Sequence, residues 1–136
     1  MLLTAETEIL NRLYGDEGAV RAIAEAGFDA VDYSLYGITQ NDDHPVWGQE
    51  YKTLAKTLSE TAKAAGVRFA QAHAPFPSAI TGDDCFNARI LEKLKRSIEF
   101  AGLLGAEVIC VHPITFENDV RRETEENIKL YRTLAP

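Results

Sequence analysis

The sequence predicts an α/β fold made of about four (β/α) units, a half-barrel around a parallel sheet, and three observations predict it. Gly27, Gly66 and Gly105 recur at a spacing of 39 residues. Each closes an amphipathic helical pattern and precedes a short apolar run. Within those runs the polar residues come last, so they gather at one end of the sheet. Glycine just past a helix accepts the left-handed conformation without a Cβ penalty, so each of the three marks a helix end and the turn into a strand.

Taken in order, Leu2 to Thr7 reads as a first strand, and Asp16 as the cap of a first helix with Val20, Ile23 and Ala24 inward. A second strand follows Gly27. Tyr51, Leu54, Ala55, Leu58, Ala62 and Ala65 recur at helical spacing before Gly66, and a third strand follows it. Leu91, Leu94, Ile98, Ala101 and Leu104 do the same before Gly105, with a fourth strand-like run extending past His112. Thr124, with Glu125 and Glu126 at the positive end of the helix dipole, opens a fourth helix carrying Ile128, Tyr131 and Leu134, expected to close about Pro136. Strict alternation of this kind implies a parallel sheet with right-handed crossovers. The stretch Ala5 to Asn11 has no glycine, which opposes a doubly wound sheet with a phosphate loop after its first strand and favours the barrel.

A hydrophobic content of 46% and a charged content of 26% suit one globular domain over residues 1–136. The formal charge of −7 opposes a nucleic-acid partner, because phosphate binding is driven by Lys and Arg. Cys85 and Cys110 suggest no disulfide framework, and the N-terminus lacks a basic and apolar leader, so a reducing, cytoplasmic setting is expected. No apolar run approaches the roughly 18 residues of a membrane span.

Counting from the glycines with period two separates two strand faces. Val31, Tyr33, Ala70, Ala72, Ile109 and Val111 suit packing under helices. The other face carries Ala30, Asp32 and Ser34; Phe69, Gln71 and His73; Val108, Cys110 and His112. His73 and His112 each stand seven residues after their glycine, so two imidazoles are expected at one height on one face, at the strand ends where barrels build their sites. Imidazole can ligate a metal, transfer a proton near neutral pH or bond a substrate hydroxyl. Against this stands the plainer reading of two histidines each bonded to a local backbone group. Asp32, Ser34 and Gln71 are candidate substrate-binding groups, with Asp32 equally readable as a structural carboxylate, and Cys110 reads as a small core residue. The long connection from Tyr36 to Gln49 offers Trp47, either to stack on a ligand or to pin the loop to the domain. No P-loop, CxxC pair, GxSxG elbow or HExxH segment occurs.

At Gln71-Ala72-His73-Ala74-Pro75-Phe76, Val111-His112-Pro113 and Ala26-Gly27-Phe28-Asp29-Ala30-Val31-Asp32, the chain resembles the xylose isomerase-like TIM barrel superfamily, over the N-terminal half of a typical member. The grouping joins sugar isomerases and epimerases with apurinic endonucleases. The resemblance implies a sugar or sugar-phosphate isomerase or epimerase using a divalent metal, Mn, Zn, Mg or Co, with a sugar or polyol as its small-molecule partner. In the endonuclease branch the histidines matched by His73 and His112 are zinc ligands; in the epimerase branch such histidines line the sugar pocket, and the metal is held by acidic ligands of later strands. The acidic composition favours the sugar branch over a metal-dependent hydrolase of abasic DNA. Because the later strands are not in this sequence, the chain alone is expected to be inactive, and whether it holds a metal at all is open. Its sheet edges should find a second copy or a complementing half. The remaining alternative is a half-barrel that binds without catalysing.

Overall fold

The computed structural model describes residues 1–116 and 119–135; Pro136 lies outside them. Four parallel strands, β1 (Thr4–Glu6), β2 (Ala30–Ser34), β3 (Arg68–His73) and β4 (Val108–Cys110), stand in the order β1-β2-β3-β4. Four helices alternate with them: α1 (Glu8–Glu25), α2 (Tyr51–Ala65), α3 (Asp84–Leu104) and α4 (Val120–Leu134). This is the expected α/β half-barrel. Gly27, Gly66 and Gly105 all have positive φ, and Gly66 and Gly105 cap α2 and α3 in the left-handed conformation.

Helices cover one face of the sheet. Val20 and Ile23 of α1, Ala55 and Leu58 of α2 and Phe100, Ala101 and Leu104 of α3 bury with Val31, Tyr33 and Ala72 of the strands. Tyr33 lies between two rings, edge-on to Phe69 at 6.1 Å between centroids and tilted to Phe100 at 5.5 Å.

Four local expectations change. First, the initial strand is confined to Thr4–Glu6, and α1 starts at Glu8 rather than at Asp16, with a non-helical break at Gly15. The Asp16 carboxylate accepts from the Tyr33 hydroxyl at 2.9 Å and pairs with His44. Second, α4 starts at Val120, because the Asp119 side chain accepts from the Arg122 amide and caps it ahead of Thr124. Its inward stripe is Asn127, Leu130 and Leu134, while Ile128 and Tyr131 are exposed.

Third, Phe69 is not on the open face. An extra residue in β3, Ala70, sits opposite the Val31–Asp32 step: Val31 pairs with Phe69 but Asp32 with Gln71. An inserted residue reverses the side-chain alternation across it. Phe69 therefore joins the core at 2% exposure, while Val108 stays open at 57%. Fourth, β4 is slipped by two positions from the glycine count, so that His73 pairs with Cys110 and His112 lies beyond the strand. A slip of two keeps the face and changes the height.

Burial, then the negative charge of Asp16 and its hydrogen bond, raise the Tyr33 pKa well above the ordinary value of 10.0. In the unfolded chain the phenol ionises at about 10, while the folded protein still holds the proton. The contribution is therefore full below pH 10 and is lost as pH rises above it. Urea unfolding between pH 8 and 11 should show stability falling above about pH 10, and falling less steeply in Tyr33→Phe. Equal slopes in both proteins would contradict the assignment.

Candidate functional site

The C-terminal ends of the strands bring three donor side chains together. His73 ends β3, Cys110 ends β4 and His112 follows two residues later. The two imidazoles stack with centroids 5.9 Å apart and planes 29° from parallel. One ligand atom from each of His73, Cys110 and His112 lies within 4.8 Å of the others. Cys110, expected as core filler, is half-buried and belongs to this cluster. The register supplies the signal that counting from glycines lacked: Cys110 faces His73 directly across the ladder.

Asp32 anchors the group from β2. It is 6% exposed, and its carboxylate accepts from Gln71 Nε2 at 2.8 Å. His73 Nδ1 lies 3.0 and 2.9 Å from its two oxygens. An ionised carboxylate only accepts, so Nδ1 carries a proton toward it and Nε2 is the ring atom left to meet a ligand. A carboxylate behind a histidine fixes its tautomer and ring orientation, the arrangement found behind metal-ligating imidazoles.

A cavity of about 350 Å³ opens over the pair, walled by Glu6, Glu8, Tyr36, His73, Phe76 and His112. Phe76 meets the His112 ring edge-on at 5.2 Å and Tyr36 at 5.9 Å, so the two loops after β2 and β3 close on each other over the imidazoles. Ser78 donates to the His112 carbonyl at 2.6 Å and holds the second loop in place. Glu6, Glu8 and Tyr36 are not candidates from sequence, and Phe76, a residue of the resembling motif expected to pack, walls the cavity. Their positions depend on strand ends and loop folding that residue spacing does not encode.

The remaining candidates lie elsewhere. Ser34 is fully buried and opens toward a neighbouring cavity. Trp47 sits in a short 3-10 turn (Pro45–Trp47), donates from Nε1 to the Ile38 carbonyl at 3.2 Å and packs against the main core. It is not among the residues walling the histidine cavity. The loop is fastened again by Lys93, buried on α3, whose Nζ donates to the Thr39 carbonyl at 2.6 Å and to Asp42 at 2.5 Å. That hydrogen bond and charge lower the pKa of exposed Asp42.

Parallel βα units with polar side chains converging at the C-terminal strand ends define an α/β protein of the barrel class. The chain belongs to the xylose isomerase-like TIM barrel family, whose model matches residues 20–135. A crystal structure of a D-allulose 3-epimerase from Methylomonas sp. superposes with a TM-score of 0.65 at 14% sequence identity. The match covers 99% of this chain and 46% of that one, so the chain spans a little under half the length of that enzyme. At that identity the likeness is one of fold. No curated protein sequence matches the chain. Among the described residues, no helix is long and apolar enough to cross a membrane.

Proposed function

We propose that these four units carry the histidine half of a sugar isomerase or epimerase site. The observation that carries the reading is the stacked His73–His112 pair, with His73 held by Asp32 and both walled by Tyr36 and Phe76. Such enzymes move a proton on carbon next to a carbonyl, which calls for a group that takes and returns it and for partners that fix the hydroxyls around it. With Nδ1 turned to Asp32, the neutral ring of His73 would accept a hydrogen bond at Nε2, and the carboxylate would balance the charge if the ring took the proton. Glu6 and Glu8 present carboxylates to the same cavity as acceptors for sugar hydroxyls.

The donor cluster also fits a metal. Two imidazoles and a thiolate suit zinc, whereas magnesium and manganese take oxygen ligands. His73, Cys110 and His112 would hold it, His73 through the Nε2 that would otherwise meet the substrate, and a zinc ion would then polarise a bound carbonyl oxygen in place of proton transfer at that atom. The residues that complete the site, in later units of a longer chain or in a second polypeptide, are part of the same proposal.

The test is a titration with D-allulose and with its C3 epimer, followed by the side-chain ¹H–¹⁵N signals of the histidines. Both His73 and His112 signals should move saturably, with His44 unaffected. Unmoved His73 and His112 signals at saturating ketose would refute the reading.

A further inference from the structure

The wall of the histidine cavity is rich in acceptors and in negative charge. Glu6 ends β1 and pairs in the ladder with Asp32, so the two carboxylates leave neighbouring strands on one face of the sheet. Glu8 opens α1 two residues later. An ionised carboxylate has no proton to give, so both glutamates only accept, and His73 Nε2 accepts as well while its ring is neutral.

These carboxylates are not equally engaged. Asp32 is taken up by Gln71 and His73, and Glu8 pairs with Arg12. Among the described residues no ion pair includes Glu6, which is exposed. Nor does Glu6 belong to the donor cluster of His73, Cys110 and His112. It is the wall charge left over once the imidazoles, the thiol and the other two carboxylates have their roles.

The rest of the wall favours a positive ligand. No lysine or arginine is among the residues lining the cavity, so an entering phosphate or carboxylate meets like charge with no fixed cation to offset it. Tyr36 and Phe76 are 42% and 41% exposed, and the face of an aromatic ring attracts an ammonium. An ammonium brings three donors and no acceptor, the complement of a carboxylate beside a neutral imidazole. A hydroxyl would also bond Glu6, but a bond charged on both sides is roughly twice as strong as a neutral one.

We infer that Glu6 is a specificity-determining residue, and that the ligand of this cavity is an amino sugar or amino polyol whose ammonium rests on the Glu6 carboxylate beside Tyr36 and Phe76. The inference rests on the sugar reading proposed above and adds a positive charge to the substrate.

Three ligands on one carbon skeleton test it: sorbitol, glucamine, in which a terminal hydroxyl is replaced by an amine, and gluconate, in which that end is a carboxylate. At neutral pH they are neutral, cationic and anionic. The wild type should bind glucamine about tenfold more tightly than sorbitol, and gluconate more weakly than either. Glu6→Gln keeps the shape and removes the charge, so glucamine should fall to within about twofold of sorbitol, with zinc affinity unchanged. Glu6→Lys should place gluconate above glucamine. Equal binding of sorbitol and glucamine by the wild type would overturn the assignment and leave the sugar reading standing. A preference for glucamine that survives Glu6→Gln would do the same. Lost zinc affinity in Glu6→Gln would make Glu6 a metal ligand and overturn its role as an ammonium site. A wild type that binds none of the three would overturn both readings.

Discussion

Phe69→Ala should destabilise the protein by about 3–5 kcal/mol, the usual cost of truncating a buried phenylalanine, whereas Val108→Ala should stay within about 0.5 kcal/mol. The contrast tests the strand register. Counted from the preceding glycines, both residues fall on the open face of the sheet. The extra residue at Ala70 moves Phe69 under the helices and against Tyr33, while Val108 remains exposed. Truncating Phe69 removes its apolar contacts and leaves a cavity lined by rings that cannot collapse freely, so transfer and cavity terms add. Chemical denaturation of the two variants decides it. A small loss at Phe69, or a large one at Val108, would restore the regular alternation.

Asp32→Asn should weaken zinc binding by about 10–100-fold, the customary effect of disturbing the partner behind a ligating histidine. The asparagine keeps the shape and an oxygen for His73 Nδ1, but it removes the negative charge that makes the ring a better donor and that accepts from Gln71. Competition against a chromophoric chelator gives the affinity. Cobalt substitution gives a separate readout, because a thiolate ligand from Cys110 adds charge-transfer absorption that Cys110→Ser should abolish while retaining weaker binding. Unchanged zinc affinity in Asp32→Asn would show that the carboxylate serves the fold alone.

Much of the fold is legible in the sequence because its punctuation is local. A left-handed residue after each helix needs glycine, and the 39-residue period of Gly27, Gly66 and Gly105 declares the unit. The pairing of Asp32 with Gln71 and of Ser34 with His73 follows that count as well. What the count misses is tertiary. Nothing in Arg68–Phe69–Ala70 marks an inserted residue, and the slip of β4 depends on how that strand seats beside β3. Lys93 and Ser97 are buried on α3 against the expectation for polar residues, Lys93 because it reaches two acceptors in the 36–49 loop. For the site, His73, His112 and Asp32 could be read from position alone. Cys110 required the register, and the aromatic wall required two folded loops.

Pairing His73 with Cys110 leaves His112 two residues past the end of its strand. One imidazole is therefore set by the ladder and by the carboxylate of Asp32, the other by a loop whose carbonyl takes the Ser78 hydroxyl. A ligand resting on both rings would touch a group fixed by the sheet at one end and a group fixed by a loop at the other, so its two ends would not be equivalent.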